Sequence, residues 1–187
     1  MASDISICSA ALMLLGDTPI ASLDENTKRA TMCRTIYTQA VEDVLRLHPW
    51  NCLVTQVVLA PETTAPAFGY TAQFARPGDW LRTITVGDDN SGYADYLFVG
   101  NKIQANLSTL KLTYLARKEV SEWDSHLVNV ITCRMAADLA YPVTKSGTMV
   151  DLRIRAYAMA LKTAKAVDGQ ENQPEQIQDS PLIAVRG

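Results

Sequence analysis

The sequence predicts an α+β protein: a bundle of about four helices, a small antiparallel β-sheet inserted between its two halves, and an extended C-terminal tail. Residues 1–51 and 118–169 carry the 3.6-residue apolar period of amphipathic helices. Residues 52–117 are rich in β-branched side chains and show the two-residue period of half-buried strands. Residues 170–187 are polar at first and apolar at the end, so we expect them to serve assembly.

The first predicted helix spans residues 4–15. Asp4 can cap its N-terminus, and Gly16 is well placed for the left-handed residue that commonly follows a helix. The short link at 17–19 indicates an antiparallel hairpin with the next helix. The apolar stripe consists of Ile5, Cys8, Leu12 and Leu15.

The longest amphipathic pattern lies between Asp24 and Asn51, and we expect the other helices to pack against it. Ser22 with Glu25 fits a capping box, so the helix is predicted to start near Asp24. Pro49 disfavours helical geometry in the residue before it, so the helix is predicted to end near Leu47. Its apolar face consists of Ala30, Cys33, Ile36, Tyr37, Ala40, Val41, Val44, Leu45 and Leu47.

The middle of the chain predicts one sheet of about four or five strands. Leu110, Leu112, Tyr114 and Ala116 share one face of the last strand. The proline-rich stretch at 61–79 is predicted to be a long loop with short extended pieces, notably Tyr70–Ala75. The other predicted strands are Val54–Ala60, Leu81–Val86, Tyr96–Val99 and Lys102–Leu107.

The last two helices are predicted at residues 122–141 and 148–168. Ser121 with Asp124 fits a capping box for the first, and Pro142 should end it. Ser146 or Thr148 should open the second, and Gly169 should end it. The predicted buried stripe of the last helix is Val150, Ile154, Tyr157, Leu161 and Ala164, with Arg153, Arg155, Lys162 and Lys165 outside.

Composition and net charge argue against several classes of function. The chain has 187 residues, a net charge of −3 and a pI of about 5.4, which argues against a general nucleic-acid binder. The four cysteines are far apart without a CxxC, so we expect free, buried thiols in a reducing compartment. The N-terminus lacks the basic region of a signal peptide, and no apolar run reaches the ~18 residues of a membrane span. We therefore expect a protein made in a cytoplasm, with no membrane partner.

Few residues of the sequence are candidates for catalysis or for metal binding. His48 borders the apolar face of the long helix, which favours a packed or capping histidine, and His126 should be solvated. No phosphate loop, dinucleotide fingerprint or hydrolase signature occurs. Glu119, Glu122 and Asp124 could mimic a glycosidase carboxylate pair, but an acidic helix start explains them already. We therefore predict no catalytic residues, no cofactor and no metal.

An ordered set of short motifs covers most of residues 5–86. They are Ala10-Ala11-Leu12, Leu15-Gly16, Ile20-Ala21-Ser22-Leu23-Asp24-Glu25, Cys33-Arg34, Tyr37, Val44-Leu45-Arg46, His48-Pro49-Trp50-Asn51, Pro66-Ala67-Phe68-Gly69-Tyr70 and Pro77-Gly78-Asp79-Trp80-Leu81-Arg82. In these motifs the first half of the chain resembles the tail tubular protein A family, the head-to-tail adaptors of podovirus-type bacteriophages. Cys52-Leu53 stands where a Phe-Ala pair is typical of that family.

This resemblance implies a structural protein of the virion tail or neck. It implies a ring of about twelve subunits between the portal protein above and the nozzle or tail tube protein below. DNA would pass through the ring without sequence-specific binding. Some relatives have been credited with cell-wall or polysaccharide cleavage, so a virion-associated hydrolase is the alternative, although no motif for that activity is carried over.

Three sets of residues are predicted to serve assembly. The outer charges of the long helix should meet a neighbouring subunit in the ring, although a solvated face is the alternative for Lys28, Arg29, Arg34, Glu42 and Asp43. The acidic loop with Asp88 and Asp89 should face the channel or form a tip. The tail should be disordered in the free subunit and bind the portal, or failing that a neighbouring adaptor subunit, through Pro181, Leu182, Ile183, Val185 and Arg186.

Overall fold

The structure, a computed structural model, describes residues 2–87 and 95–171. Within these ranges it contains four α-helices and two three-stranded antiparallel sheets, which confirms the α+β prediction. The helices are α1 (Asp4–Leu14), α2 (Lys28–Leu47), α3 (Ser125–Thr144) and α4 (Gly147–Glu171). The strands are β1 (Val54–Leu59), β2 (Ala72–Ala75), β3 (Trp80–Val86), β4 (Tyr96–Val99), β5 (Lys102–Ala105) and β6 (Leu110–Ala116).

Both ends of α1 are closed by their own side chains and backbone. Ser3, rather than the predicted Asp4, is the N-cap and forms a reciprocal capping box with Ser6. Gly16 has the predicted left-handed conformation, with a φ of 77°. The N–H of Gly16 donates to Met13 and that of Asp17 to Leu12, so the predicted glycine stop is confirmed.

The start of α2 differs from the prediction. The helix begins at Lys28, where the hydroxyl oxygen of Thr27 accepts a hydrogen bond from Ala30 N–H at 3.2 Å. Glu25 does accept a hydrogen bond from the backbone N–H of Ser22 at 2.9 Å, but this bond closes a turn in the preceding loop. The predicted end at Leu47 is confirmed.

The ends of α3 and α4 also lie beyond the predicted ones. Pro142 is inside α3, which continues to Thr144. Near the end of a helix, a proline removes only one hydrogen bond of the ladder, and the Lys145 N–H still donates to Tyr141 at 2.9 Å. Ser146 caps α4 as predicted, whereas Gly169 does not end it, since the helix runs to Glu171.

The predicted single sheet is two sheets. β6 is the centre of sheet A, in the order β1-β6-β3, and β5 is the centre of sheet B, in the order β2-β5-β4. Val57 lies opposite Leu112 in sheet A, and Phe74 lies opposite Ile103 in sheet B. Periodicity identified the strands but could not assign them to separate sheets.

Sheet A lies between the helices and sheet B. The alternation along β6 sends Leu115 into the core of the helical bundle and Leu112 into a second core shared with sheet B. Leu81 of β3 also joins the bundle core. The face predicted for Leu110, Leu112, Tyr114 and Ala116 is confirmed, since all four belong to the second core.

The centre of the bundle is α3. The prediction that the other helices pack against α2, which has the longest amphipathic pattern, is wrong. Helix α3 packs against each of the other three helices and buries eight of its residues. Helix α4 has 25 residues but buries only Ala164 and Asp168, and it packs chiefly against α3. Ile154, predicted in its buried stripe, is 51% exposed, so that position was misassigned.

Candidate assembly surfaces

The charges on the N-terminal half of α2 mostly bind within the subunit. The Nε of Arg29 lies 2.7 Å from Oδ1 of Asp17, in the loop after α1. This contact and a backbone hydrogen bond from Thr18 lower the pKa of Asp17, the backbone bond contributing most. Arg34 donates to the Leu23 carbonyl at 3.3 Å. These two arginines therefore hold the link between α1 and α2.

The acidic residues of α2 are paired as well. Glu42 contacts Arg117, just after β6, at 2.7 Å, and Arg46 at 3.0 Å, and these partners lower the pKa of Glu42. Asp43 lies 3.3 Å from Arg134 of α3. Glu42 therefore connects α2 to sheet A, and Asp43 connects it to α3.

These contacts bear on the predicted ring interface. Of its five charges, Lys28 alone has no ion pair or hydrogen bond with another side chain or carbonyl among residues 2–87 and 95–171. Arg29, Glu42 and Asp43 have acidic or basic partners in their own subunit. Lys28 and the exposed Arg34 are therefore more available for contact with a neighbouring subunit than the other three charges. The ring interface stays a prediction.

The turn after α2 is joined to the end of α4. The Nε2 of His48 lies 2.9 Å from Oδ2 of Asp168. Asn51 donates its backbone N–H to the other carboxylate oxygen of Asp168 at 2.9 Å. The His48 ring also meets Trp50 edge to face, and the Trp50 indole donates to Val44 at 3.0 Å. This arrangement confirms the packed histidine.

The acidic residues at the start of α3 do not form the cluster that the sequence suggested. Glu119 and Glu122 accept each other's backbone N–H groups in a short turn. Asp124 instead shares a site with Asp168 and Glu171 of α4, with one carboxylate oxygen of each within 4.8 Å of the others. Because Asp168 already accepts hydrogen bonds from His48 and Asn51, its carboxylate has a structural role.

The enclosed space beside these three carboxylates is small. The cleft has a volume of about 10 Å³, and its lining includes Trp50 and Leu127. A space of ~10–15 Å³ holds about one water molecule. The exposed His126 lies at its rim, as expected for a solvated histidine. The enclosed part of the cleft therefore admits about one water molecule, while Asp124 and Glu171 face solvent.

Two predicted sites lie outside the described residues. These are the acidic loop with Asp88 and Asp89, and the tail with Pro181, Leu182, Ile183, Val185 and Arg186. The described ranges stop at Gly87, directly before Asp88, and at Glu171, ten residues before Pro181.

The structure adds two exposed apolar surfaces that sequence reasoning missed. On β4, an edge strand of sheet B, Leu97, Phe98 and Val99 are each 40–51% exposed. On α4, Leu152 and Met159 are 53% and 72% exposed. The sequence contained an indication of the surface on α4. Leu152 and Met159 lie off the predicted buried stripe, and because they are seven positions apart they share one face of the helix.

The four cysteines have free thiols, as predicted. Cys8 of α1 and Cys33 of α2 are buried and interact directly. The hydrogen bond with Cys33 and burial raise the pKa of the Cys8 thiol, which keeps it protonated. The pair thus packs α1 against α2 as small apolar side chains.

No protein-family model matches this chain, and a search of curated proteins likewise finds no match. Among the described helices, none combines the length and the apolar composition that a membrane crossing needs.

Proposed function

We propose that this protein is a structural head-to-tail adaptor of a tailed bacteriophage. In this proposal about twelve copies form a ring in the virion neck, between the portal protein and the nozzle or tail tube, and line the DNA channel. The ordered likeness of residues 5–86 to the tail tubular protein A family carries the proposal. The net charge of −3 suits a channel through which DNA must slide without being held by phosphate contacts.

The exposed apolar side chains support an assembling protein. A closed ring of identical subunits is built from a heterologous interface, in which two different surfaces of the subunit meet. Strand β4 exposes three large apolar residues in succession, and α4 exposes others on a separate element. An apolar edge strand without a proline or lysine is open to pairing with another chain. We therefore place one half of the subunit contact on β4.

Electron microscopy of the purified protein, alone and mixed with its portal, tests the proposal. We expect rings of about twelve copies that stack coaxially on the portal. Leu97→Asp should prevent ring formation, because it puts a charge on the exposed edge strand. Val58→Asp is the matched control, since Val58 is an exposed apolar residue on the edge strand of sheet A. Particles that stay monomeric with and without the portal would refute the adaptor function.

The alternative, a virion-associated hydrolase, has weaker support. Its best candidate residues are Asp124 and Glu171, whose carboxylates lie close together. Retaining glycosidases hold two carboxyl groups ~5–5.5 Å apart, but with a substrate between them. The cleft beside this pair admits about one water molecule. Clearing of purified cell walls that Asp124→Asn abolishes would favour the hydrolase.

A further inference from the structure

One face of α4 is exposed and apolar along its centre. Leu152, Ala156, Met159, Thr163 and Ala166 follow one another at steps of four, three, four and three residues, so they form one continuous row. We call this row the outer stripe of α4. All but the half-buried Ala156 are exposed, and Met159 is the most exposed large apolar residue of the helix.

Two cations border the outer stripe. Arg155 and Lys162 each lie three residues after a large apolar member of the stripe, so both are on the same side of it. Both are exposed, and neither forms an ion pair within the part of the chain that the structure describes. The surface therefore suits a segment that combines apolar side chains with a carboxylate.

The chain beyond Glu171 has this composition. Residues 172–187 follow α4 directly, and they contain Asp179 three residues before the apolar run Leu182–Val185. Pro174 disfavours a helical conformation in the residue before it, so the sequence favours an end of the helix near Glu171. A segment that turned back there would run along α4.

The distances along the helix fit this path. At a rise of about 1.5 Å per residue, Lys162, Met159 and Leu152 lie about 13, 18 and 28 Å back from Glu171. After a reversal of about four residues, an extended chain at about 3.3 Å per residue brings Asp179 back about 13 Å and Leu182 about 23 Å. On this path Asp179 would reach Lys162, and Leu182 would lie between Met159 and Leu152.

We infer that residues 179–185 dock on the outer stripe of α4 in the same subunit. Leu182 and its neighbours cover Met159 and Leu152, and Asp179 pairs with Lys162. The short connection gives the segment a high effective concentration at the stripe, on the order of millimolar. The docking does not depend on the adaptor function; where both hold, the free subunit stores its portal-binding segment on α4.

This inference revises the sequence-based expectation of a disordered free tail. That expectation rested on the absence of a local surface able to cover Leu182, Ile183 and Val185. The structure supplies such a surface on the helix that directly precedes the tail, because α4 buries only Ala164 and Asp168.

Limited proteolysis of the full chain with a Glu-specific protease tests the docking. The rate of cleavage after Glu175, followed by mass spectrometry, reports how often the segment is released. If the segment is docked about nine-tenths of the time, its release raises the cleavage rate about tenfold. We expect this increase for Met159→Asp and for Ile183→Asp. Asp179→Lys should also increase the rate, and adding Lys162→Asp to it should restore slow cleavage.

Ile154→Asp is the matched control, because Ile154 is an exposed apolar residue of α4 that lies off the outer stripe. It should leave the rate unchanged, and circular dichroism should show unchanged melting for all these surface variants. Equal cleavage rates for wild type, Met159→Asp and Ile154→Asp would overturn the inference. Protection that rises with protein concentration would also overturn it, since the segment would then bind another copy.

Discussion

Asn51 and Asp168 are joined by two hydrogen bonds across 117 positions of the chain. The backbone N–H of Asn51 donates to the Asp168 carboxylate at 2.9 Å, and the Asn51 side-chain amide donates to the Asp168 carbonyl at 2.6 Å. Asn51 follows α2 and leads into β1, whereas Asp168 lies in the last turn of α4. These bonds hold the end of the last helix against the point where the chain passes from the bundle to the sheets.

Replacing Asp168 should destabilise the fold. Asp168→Ala removes the carboxylate that accepts hydrogen bonds from Asn51 N–H and the His48 ring, and a hydrogen bond to a charged group contributes about 1.5–3 kcal/mol. Chemical denaturation at pH 7 measures this loss. The control is Asp151→Ala, an exposed carboxylate of the same helix, which should change the free energy of unfolding by less than about 0.5 kcal/mol. Equal effects of the two variants would contradict the structural role of Asp168.

The burial pattern of the bundle predicts a contrast between two apolar positions. Leu139 of α3 is fully buried, so Leu139→Ala should cost about 2–5 kcal/mol through lost contacts and a cavity. Ile154→Ala should change stability by less than about 0.5 kcal/mol, because Ile154 is exposed. Thermal unfolding of both variants checks the assignment, and a large loss at Ile154 would support the stripe predicted from the sequence.

The Tyr37 hydroxyl is buried and has no hydrogen-bond partner among the described residues. Tyr37→Phe removes this group without a cavity, so stability should be unchanged or rise by up to about 1 kcal/mol. Tyr37→Ala should instead cost about 3–5 kcal/mol, because it empties part of the core between the helices. Denaturant titration of both variants separates the hydroxyl from the ring, and a clear loss for Tyr37→Phe would indicate a hidden partner.

The pairing of Glu42 predicts a pH dependence. Its pKa in the folded protein is lowered below the ordinary value of 4.5, so its contribution is present above pH 4.5 and is lost as pH falls through the folded pKa. Because its side chain is 34% exposed, we expect less than about 1 kcal/mol. Glu42→Gln should therefore be slightly less stable than wild type at pH 7, and the difference should shrink as pH falls below 4.5 and vanish once Glu42 is protonated in the folded protein. A constant difference across this range would contradict the ion pairing.

The ring interface is best tested at Lys28 and Arg34, the two predicted interface charges that form no ion pair within the described part of the subunit. Under the adaptor proposal, Lys28→Glu and Arg34→Glu should both weaken ring formation. Lys28→Glu should leave the melting temperature nearly unchanged, and Arg34→Glu should lower it slightly, because it loses the exposed hydrogen bond to the Leu23 carbonyl. Asp43→Lys should lower the melting temperature, because it breaks the contact with Arg134. Light scattering and thermal unfolding measure the two effects separately, and unaltered rings in both reversed variants would place the interface elsewhere.

Local sequence determined the ends of the first two helices and placed the strands to within about two residues. The glycine after α1 and the proline after α2 ended those helices where predicted, because each acts on the backbone of its immediate neighbours. The strand alternation of β6 likewise assigned its face correctly. Helix starts were less certain, because several of the residues before α2 can cap a helix and the chain uses Thr27.

Tertiary structure decided how the elements pack. Periodicity gives the apolar face of an element but not its partner, so the sequence could not show that sheet A separates the bundle from sheet B. Nor could it identify α3 as the centre of the bundle.

The candidate surfaces depended on packing in the same way. The sequence places Arg29, Glu42 and Asp43 on one outer face, but only the fold brings Asp17, Arg117 and Arg134 close enough to pair with them. A buried stripe was also predicted on α4, and of its five members only Ile154 is exposed. The fold leaves Leu152, Ile154 and Met159 exposed, because α4 packs chiefly against α3 and one helix can cover only one of its faces.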